Sequence, residues 1–259
     1  MLRDGELVYL LDEQGRRHWA KIQTGMVKVE GFGVIDGARL VGLESGSTLS
    51  LAGRTLWVLR PGAHELMESI ERGAQVIGAK DAATIAHRLD LKCGDLVIEG
   101  GVGSGSLTTV LINLVRPTGK VVSVELRDEF AMRARKNIAR TGLDGCWELE
   151  KGDIRTIQMD LRADAVVLDI PDPWEAVTNI GKMMKGGGRF GAFVPNMNQV
   201  ENTVKKLRAS GFVEVEALEN IQRVMEVHPG GVRPSFDVLG HTGYMIFARK
   251  IIDQTEAKD

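Results

Sequence analysis

The sequence predicts an α/β protein, a parallel sheet flanked by helices with a small β module ahead of it. Three observations carry this. From residue 95 onward, short apolar runs alternate with helix-length segments, the pattern of βαβ units. The first of these runs opens directly into a glycine-rich turn and a helical pattern. Before Pro61-Gly62, by contrast, the chain offers short strand candidates separated by turns.

Taken in order, Glu6 to Leu11, His18 to Ile22, Met26 to Val29 and Thr55 to Leu59 read as strands, with turns at Glu13-Gln-Gly15 and Ile35-Asp-Gly37. Asp36-Gly37 suits a tight turn. Residues 1–60 therefore read as a small barrel or curled sheet. Lys21, Lys28, Arg39 and Arg54, with His18 and Trp19 beside them, form either a basic face or an ordinary solvated surface. Residues 61–94 read as linking helices and a loop. Leu66 and Ile70 make a helical pair within Ala63 to Arg72, and Asp81 is placed to cap a helix from Ala82 to Leu89.

Residues 95–252 form the larger unit. Leu96 to Ile98 is a buried strand, closed by Glu99, and glycines follow at 100, 101, 103 and 105. Leu107 to Val115 is the first helix, and its leading N–H groups lack internal partners. Strand, turn and helix N-terminus make a nucleotide-type ligand site. The dinucleotide fingerprint fails, because its third glycine would fall on Ser106 or Thr108. No Gly-Lys-Ser/Thr follows, which excludes a P-loop. An acid just before the glycines repels a pyrophosphate and favours a cationic ligand, such as a sulfonium carrying an ammonium group. The plain alternative is a tight turn of any α/β protein.

Lys120 to Glu125 is the second strand. Glu125 ends it, where a carboxylate can accept both hydroxyls of a ribose. Glu129 to Thr141 is an amphipathic helix, and Trp147 to Glu150 the third strand. Asp153, with Ile154 beside it, suits an adenine amino group and ring, or is an exposed turn acid. Asp164 to Asp169 is the fourth strand, and Pro171 and Pro173 stiffen the chain behind Asp169. Trp174 opens a helix to about Met184, as core or as a base-stacking ring, and Lys185-Gly-Gly-Gly188 ends it. Arg189 to Val194, Phe212 to Leu218 and Gly243 to Arg249 are further strands, with a helix over Val200 to Ala209. Val227 to His241 is a Gly- and Pro-rich loop holding Arg233 and His241, and residues 253–259 read as a frayed tail.

Composition bounds the function. With 259 residues, 43% apolar and 26% charged, the chain suits a large domain plus a small one. It has no run near the ~18 apolar residues of a membrane span and no apolar signal-peptide core at Met1. Two cysteines and five scattered histidines fit a reducing, cytoplasmic setting and give no metal-ligand spacing. A formal charge of −2 leaves nucleic-acid binding to a local patch.

The stretches Val97-Ile-Glu-Gly-Gly-Val-Gly-Ser-Gly-Ser-Leu-Thr108, Val121-Val-Ser-Val-Glu125, Asp169-Ile-Pro-Asp-Pro173, Asn198-Gln-Val200, Arg233-Pro234 and His241-Thr-Gly-Tyr-Met-Ile-Phe-Ala-Arg249, with Gln75 and Lys80-Asp81, resemble the tRNA adenine-N1 methyltransferases that modify the T-loop, in their archaeal and bacterial form. The resemblance spans nearly the whole chain. It implies a Rossmann-like, seven-stranded class I methyltransferase domain, S-adenosyl-L-methionine as cofactor, tRNA as partner and a homotetramer. It places the cofactor against Gln75, Glu99, Gly101, Gly103, Gly105, Ser106, Leu107, Glu125, Leu126, Asp153, Ile154 and Asp169. Asp169 becomes the catalytic residue at the target adenine, and Asn198, Arg233 and His241 become substrate contacts. Two departures stand out: Gly100 replaces the usual Ala, and Gly78 replaces a Tyr or His beside the target base. A stacked ring is worth about 1–3 kcal/mol per base, so here it must come from elsewhere. The rival readings are a methyltransferase of proteins or small molecules, and a weakly active tRNA-binding scaffold with the same fold.

Overall fold

The computed structural model describes residues 1–71, 73 and 76–252. Six short strands come first: β1 (Leu7–Asp12), β2 (Arg17–Lys21), β3 (Met26–Val29), β4 (Gly33–Asp36), β5 (Ser47–Leu51) and β6 (Arg54–Leu59). Four of them form an antiparallel sheet ordered β2-β1-β6-β5, and β3 pairs with β4. One face closes over Leu10, Ile22, Leu40, Leu56 and Val58. The other presents Leu7, Tyr9 and Trp19 to the helices of the larger unit.

Those helices are α1 (Ala63–Glu68), α2 (Ala79–Arg88) and α3 (Ser106–Val115). The larger unit continues with β7 (Leu96–Gly100), β8 (Lys120–Glu125), α4 (Asp128–Thr141), β9 (Trp147–Lys151), β10 (Ala163–Leu168), α5 (Pro173–Lys182), β11 (Met184–Val194), α6 (Met197–Arg208) and β12 (Phe212–Glu219). A hairpin of β13 (Met225–His228) and β14 (Gly231–Pro234) precedes β15 (Tyr244–Lys250). The sheet has seven strands in the order β12-β15-β11-β10-β7-β8-β9. Its five middle and leading strands pair in parallel, and β15 runs against both its neighbours.

The five central strands of the sheet are buried on both faces, and side-chain alternation divides them between two cores. Val97, Ala165, Val167, Met245 and Phe247 point to α1, α2 and α3, while Ile98, Val166, Leu168, Ile246 and Ala248 point to α5 and α6. This explains why the strands read as continuous apolar runs. Strand order reverses between β7 and β10, so their carboxyl ends part and leave a crevice.

Several sequence expectations are corrected. β4 overlaps the stretch expected as a turn at Ile35-Asp-Gly37, and β5, Ser-Thr-Leu-Ser-Leu, is a strand absent from the expected set because it is mostly polar. His18 and Trp19 are buried, so they do not join a basic face; Lys21, Lys28, Arg39 and Arg54 are exposed. Asp36 caps a short 3-10 turn through Ala38 N. α1 stops at Glu68 rather than Arg72. Asp81 is not a cap: α2 starts at Ala79 behind Gly78, and Asp81 is fully buried in the first turn. The glycines at 186–188 belong to β11, not to the end of α5. α6 starts at Met197, capped by Asn196, so Asn198 lies in its first turn. The Gly- and Pro-rich loop contains the β13–β14 hairpin. The tail residues 253–259 lie outside the described residues.

Candidate active site

The crevice is built on the turn after β7. Gly101 N donates to Val124 O at 2.9 Å, and Asp169 N donates to Gly100 O at 2.8 Å. These bonds tie the turn to the ends of β8 and β10. Gly101 has φ +85, and a Cβ on it would overlap the carbonyl oxygen of Asp169. Only glycine fits there. Gly103, also at positive φ, has nothing within 4 Å of where a Cβ would stand, so its face is open to a ligand. Gly105 caps α3, and Ser106 and Leu107 begin that helix, buried. Gly100 is crowded: a Cβ would lie 2.7 Å from Leu168 Cδ2 and 3.0 Å from Ile154 Cγ1. Those two side chains fill the space an alanine would take.

Three acids meet at this turn. Glu99 is buried, and register with Ser123 brings the two side chains together. Ser123 Oγ donates to Glu99 Oε2 at 2.5 Å and Thr108 Oγ1 donates to the same oxygen at 2.8 Å. Trp147 Nε1 donates to Ser123 Oγ at 2.8 Å. An indole N–H can only donate, so the serine proton is left for Glu99. Burial pushes the Glu99 carboxyl up to about 8, against the two hydroxyl donors and with help from the charges of Asp169 and Glu125. Glu125 is buried and accepts from Arg127 N at 2.9 Å and Gly103 N at 3.3 Å. Asp169 is exposed to the crevice, on the border of two cavities. Among the described residues none donates a hydrogen bond to its carboxylate. Poor hydration, then the charge of Glu125, raise it to about 7.

Two cavities meet at this point. One, of about 330 Å³, is lined by Leu126, Asp153, Ile154, Arg155 and Asp172. The other, of about 270 Å³, is lined by Ile77, Phe130, Phe193, Pro195 and Gln199. Gly101, Glu125, Arg127, Asp169, Ile170 and Pro171 border both. In the first, Arg155 clamps Asp153 through Nε and Nη2 and reaches Asp172 Oδ2 at 2.6 Å, which holds the Asp153 carboxyl below its usual range. In the second, Gln199 Nε2 donates to Pro171 O at 2.6 Å and fixes the segment behind Asp169.

The predicted residues divide accordingly. Gly101, Glu125, Leu126, Asp153, Ile154 and Asp169 line the first cavity, and Gly101, Gly103, Glu125 and Asp169 the second. Glu99, Gly105, Ser106 and Leu107 lie behind that surface. Asn198 and Arg233 are exposed outside both cavities, Arg233 paired with Glu226 and lying over the Phe236 ring. His241 also lies outside, with Nδ1 2.6 Å from Glu219 Oε1 and Nε2 3.0 Å from Pro195 O. Gln75 lies outside the described residues. Sequence reasoning missed Arg155, Asp172, Phe130, Phe193 and Gln199. Gln199, right after Asn198, and Asp172, within Asp169-Ile-Pro-Asp-Pro173, lie in stretches the sequence had singled out; the other three carry no such signal. Among the described residues no group of His, Cys, Asp and Glu is arranged to hold a metal.

With this geometry in place, the comparisons with known proteins are specific. Residues 56–233 match the family described as tRNA methyltransferase complex GCD14 subunit. A curated relative, the tRNA (adenine(57)-N(1)/adenine(58)-N(1))-methyltransferase TrmI of Methanocaldococcus jannaschii, is 34% identical over 96% of this chain and 98% of its own. The tRNA (adenine(58)-N(1))-methyltransferase TrmI of Thermus thermophilus is 29% identical over 93% and 95%. Among solved structures, a SAM-dependent O-methyltransferase of Thermotoga maritima has a TM-score of 0.84 at 32% identity, covering 97% of this chain and 95% of its own. The tRNA (m1A58) methyltransferase TrmI of Aquifex aeolicus has a TM-score of 0.78 at 25% identity, covering 97% and 99%. The crevice at the strand reversal, the open glycine turn and the sheet order thus accompany a match over most of the chain, and the protein belongs to the family of the tRNA methyltransferase complex GCD14 subunit.

Proposed function

We propose that this protein is a tRNA adenine-N1 methyltransferase that takes its methyl group from S-adenosylmethionine and delivers it to an adenine of the T-loop. One observation carries the reading: a carboxylate without a donor, Asp169, stands at the junction of two adjacent cavities at the strand reversal. The residues present fit the cofactor. The face of Gly103 is open, Glu125 ends its strand with acceptor capacity to spare, and the carboxylates of Glu125 and Asp169 border the junction where a positive sulfonium would sit. S-adenosylmethionine, when bound, supplies an electrophilic methyl on that sulfonium.

The rest is done by side chains. Glu125 accepts the ribose hydroxyls. Asp153 and Ile154 flank the cofactor's adenine, with Arg155 holding Asp153 still. Leu126, Gly101, Gly103 and Gly105 shape the cradle, and Ser106 and Leu107 set the helix N-terminus against it. Glu99 supports the turn from behind. The target base enters the second cavity, where Phe193 and Phe130 supply the rings that Gly78 lacks; a Cβ at Gly78 would meet open space. To enter it must leave its pairing in folded tRNA. Its N1 lone pair needs no base to expose it. Methyl transfer to N1 would leave positive charge spread over the purine. Ionised Asp169 accepts the N6–H and stabilises this charge. Asn198 and Arg233, exposed outside the cavity, and exposed Lys21, Lys28, Arg39 and Arg54 on residues 1–60 are the groups assigned to the rest of the RNA.

The assembly is read as a homotetramer acting in the cytoplasm. Exposed Ile221, Val224, Val227, Val232, Phe236 and Leu239 gather on and around the β13–β14 hairpin, an apolar surface that suits another copy. Light scattering should report about four chains, and a monomer at micromolar concentration would remove this part. The activity itself is checked by nucleoside mass spectrometry of unmodified tRNA after incubation with enzyme and cofactor. The expected product is 1-methyladenosine. A ribose O-methyl product, or methyl transfer to protein extract instead of tRNA, would overturn the reading.

A further inference from the structure

The chain between β12 and β15 leaves the sheet at Glu219 and Asn220 and returns at His241 and Thr242. A closed polar network occupies this neck. Lys80 Nζ donates to Asn220 O and Thr242 Oγ1, both at 2.6 Å, and to Asp81 at 2.8 and 2.9 Å. Its donors are therefore all used. Thr242 Oγ1 donates in turn to Asp81 Oδ2 at 2.8 Å, and Asn220 Nδ2 donates to Lys80 O at 3.1 Å and Thr84 Oγ1 at 3.0 Å. Asp81 is fully buried and the Lys80 side chain is 14% exposed. A buried pair is costly to form, and removing one partner strands the other. Such a pair is weak as a stabiliser but good at fixing one arrangement.

His241 forms the second half of the neck. Both ring nitrogens face acceptors, Glu219 Oε1 and Pro195 O, so both must carry protons for both bonds to exist. The groups facing the ring are Glu219 from β12, Lys80 from α2 and the Tyr244 ring, 4.8 Å away, from β15. Bonding to Glu219 first, then to Pro195 O, raises the imidazole above its usual range, while Lys80 opposes this.

The neck touches the wall of the 270 Å³ cavity in three places. His241 holds the carbonyl of Pro195. The backbone of Gly243 lies so close to the Phe193 ring that a Cβ would overlap it. Lys80 anchors the start of α2, directly after Ile77. Pro195, Phe193 and Ile77 all line that cavity, and none lines the 330 Å³ one.

We propose that His241 and Lys80 are positioning residues that fix the wall of the acceptor cavity through Pro195, Phe193 and Ile77, and so govern recognition of the target base without touching it. This rests on the reading of that cavity as the adenine site. The neck acts on the acceptor alone. Protonated His241 holds Pro195; neutral His241 keeps one of its two bonds, the shorter one to the Glu219 carboxylate, and releases Pro195 O.

The test is steady-state methylation of unmodified tRNA with calorimetry of S-adenosylmethionine, on full-length His241→Gln, Lys80→Met and Lys80→Arg. His241 is on the surface, so His241→Gln is expected to fold, which a thermal melt verifies; it keeps the proposal testable should Lys80→Met fail to fold. Expected for His241→Gln is a fall of about tenfold or more in kcat/KM for tRNA, carried mainly by KM, with cofactor Kd changed less than about twofold. Lys80→Met should behave alike, with partial rescue in Lys80→Arg. The alkaline descent of the wild-type kcat/KM profile should vanish in His241→Gln. Wild-type kcat/KM and an unchanged alkaline limb in folded His241→Gln would overturn the proposal, as would a parallel loss of cofactor affinity. Failure of the underlying reading would look different, because wild-type enzyme would then produce no 1-methyladenosine at all.

Discussion

Both ends of the parallel sheet are lined by ionisable side chains, and they differ in whether the charges are paired. A roomier cavity, about 630 Å³, lies by the amino half of β11 and is bordered by Arg88, Arg189, Glu214, Glu216 and Arg249. There Arg88 meets Glu216 at 2.6 Å, Arg189 meets Asp90 at 3.4 Å and Arg249 meets Glu214 at 3.9 Å. Each charge has its opposite, so the groove has little left to offer a ligand. The carboxyl end holds smaller cavities, bordered by Glu125 and by Asp169, whose carboxylate accepts no hydrogen bond among the described residues; Arg127 lies 3.8 Å from Glu125. Unmet electrostatic demand, more than volume, marks the reactive end.

The largest expected effect breaks that demand at Asp169. Asp169→Asn keeps shape and an acceptor oxygen and loses the charge. Single-turnover methylation at saturating cofactor should fall about 10²–10³-fold, the usual cost of one preorganised electrostatic partner. The pH profile sharpens the point. The carboxyl is raised to about 7 in the cofactor-free protein and a bound sulfonium cation would lower it, so the wild-type rate at saturating cofactor should climb with pH through a midpoint at or below 7. Asp169→Asn should lose this climb. Stability runs the other way. The folded state binds this proton more tightly than the unfolded chain, so the acid's contribution is lost as pH rises from 3.8 to about 7. Apo Asp169→Asn should therefore lose less of its melting temperature over that range than wild type. A folded Asp169→Asn enzyme with the wild-type rate would remove Asp169 from the mechanism.

Next in size is Glu125→Ala. If this buried carboxylate accepts both ribose hydroxyls, its loss weakens cofactor binding by roughly 1.5–3 kcal/mol, since hydrogen bonds to charged groups are the strong ones. Calorimetry reads this directly, and an unchanged Kd would take Glu125 out of the cofactor site.

These residues were legible in the sequence because each closes an apolar run. Val121 to Val124 must be buried, and the acid that follows must therefore stand at a strand end. The same logic found Asp169, and the glycine pattern found the turn. It failed where glycine had a different reason to be present. At Gly188 the carbonyls of Lys185 and Asp164 approach to 2.9 and 3.3 Å of a Cβ position, which is strand packing, not a helix end. The Asp153–Arg155–Asp172 clamp and the Phe130–Phe193 pair were hidden because tertiary folding, not spacing, brings them together. Lys80 and Thr242 lie 162 residues apart in the chain and no local pattern joins them.

The smallest expected effect tests the other side of the comparison. Arg88 and Glu216 are 43% and 48% exposed at their side chains, so their attraction is screened by water and offset by the entropy of holding two flexible chains. Arg88 also lies over the Phe247 ring at 6.0 Å, which Arg88→Gln would lose in part. The double variant Arg88→Gln with Glu216→Gln leaves the groove neutral and its shape nearly intact. Chemical denaturation should show a loss within about 1 kcal/mol. Turnover and cofactor affinity should stay within about twofold of wild type, as for surface changes remote from a site. Were the larger cavity a ligand site for the reaction, removing two of its charges would cost activity well beyond that. A tenfold fall in kcat/KM with the fold intact would show that paired charges there serve a ligand after all, and the contrast between the two ends would collapse.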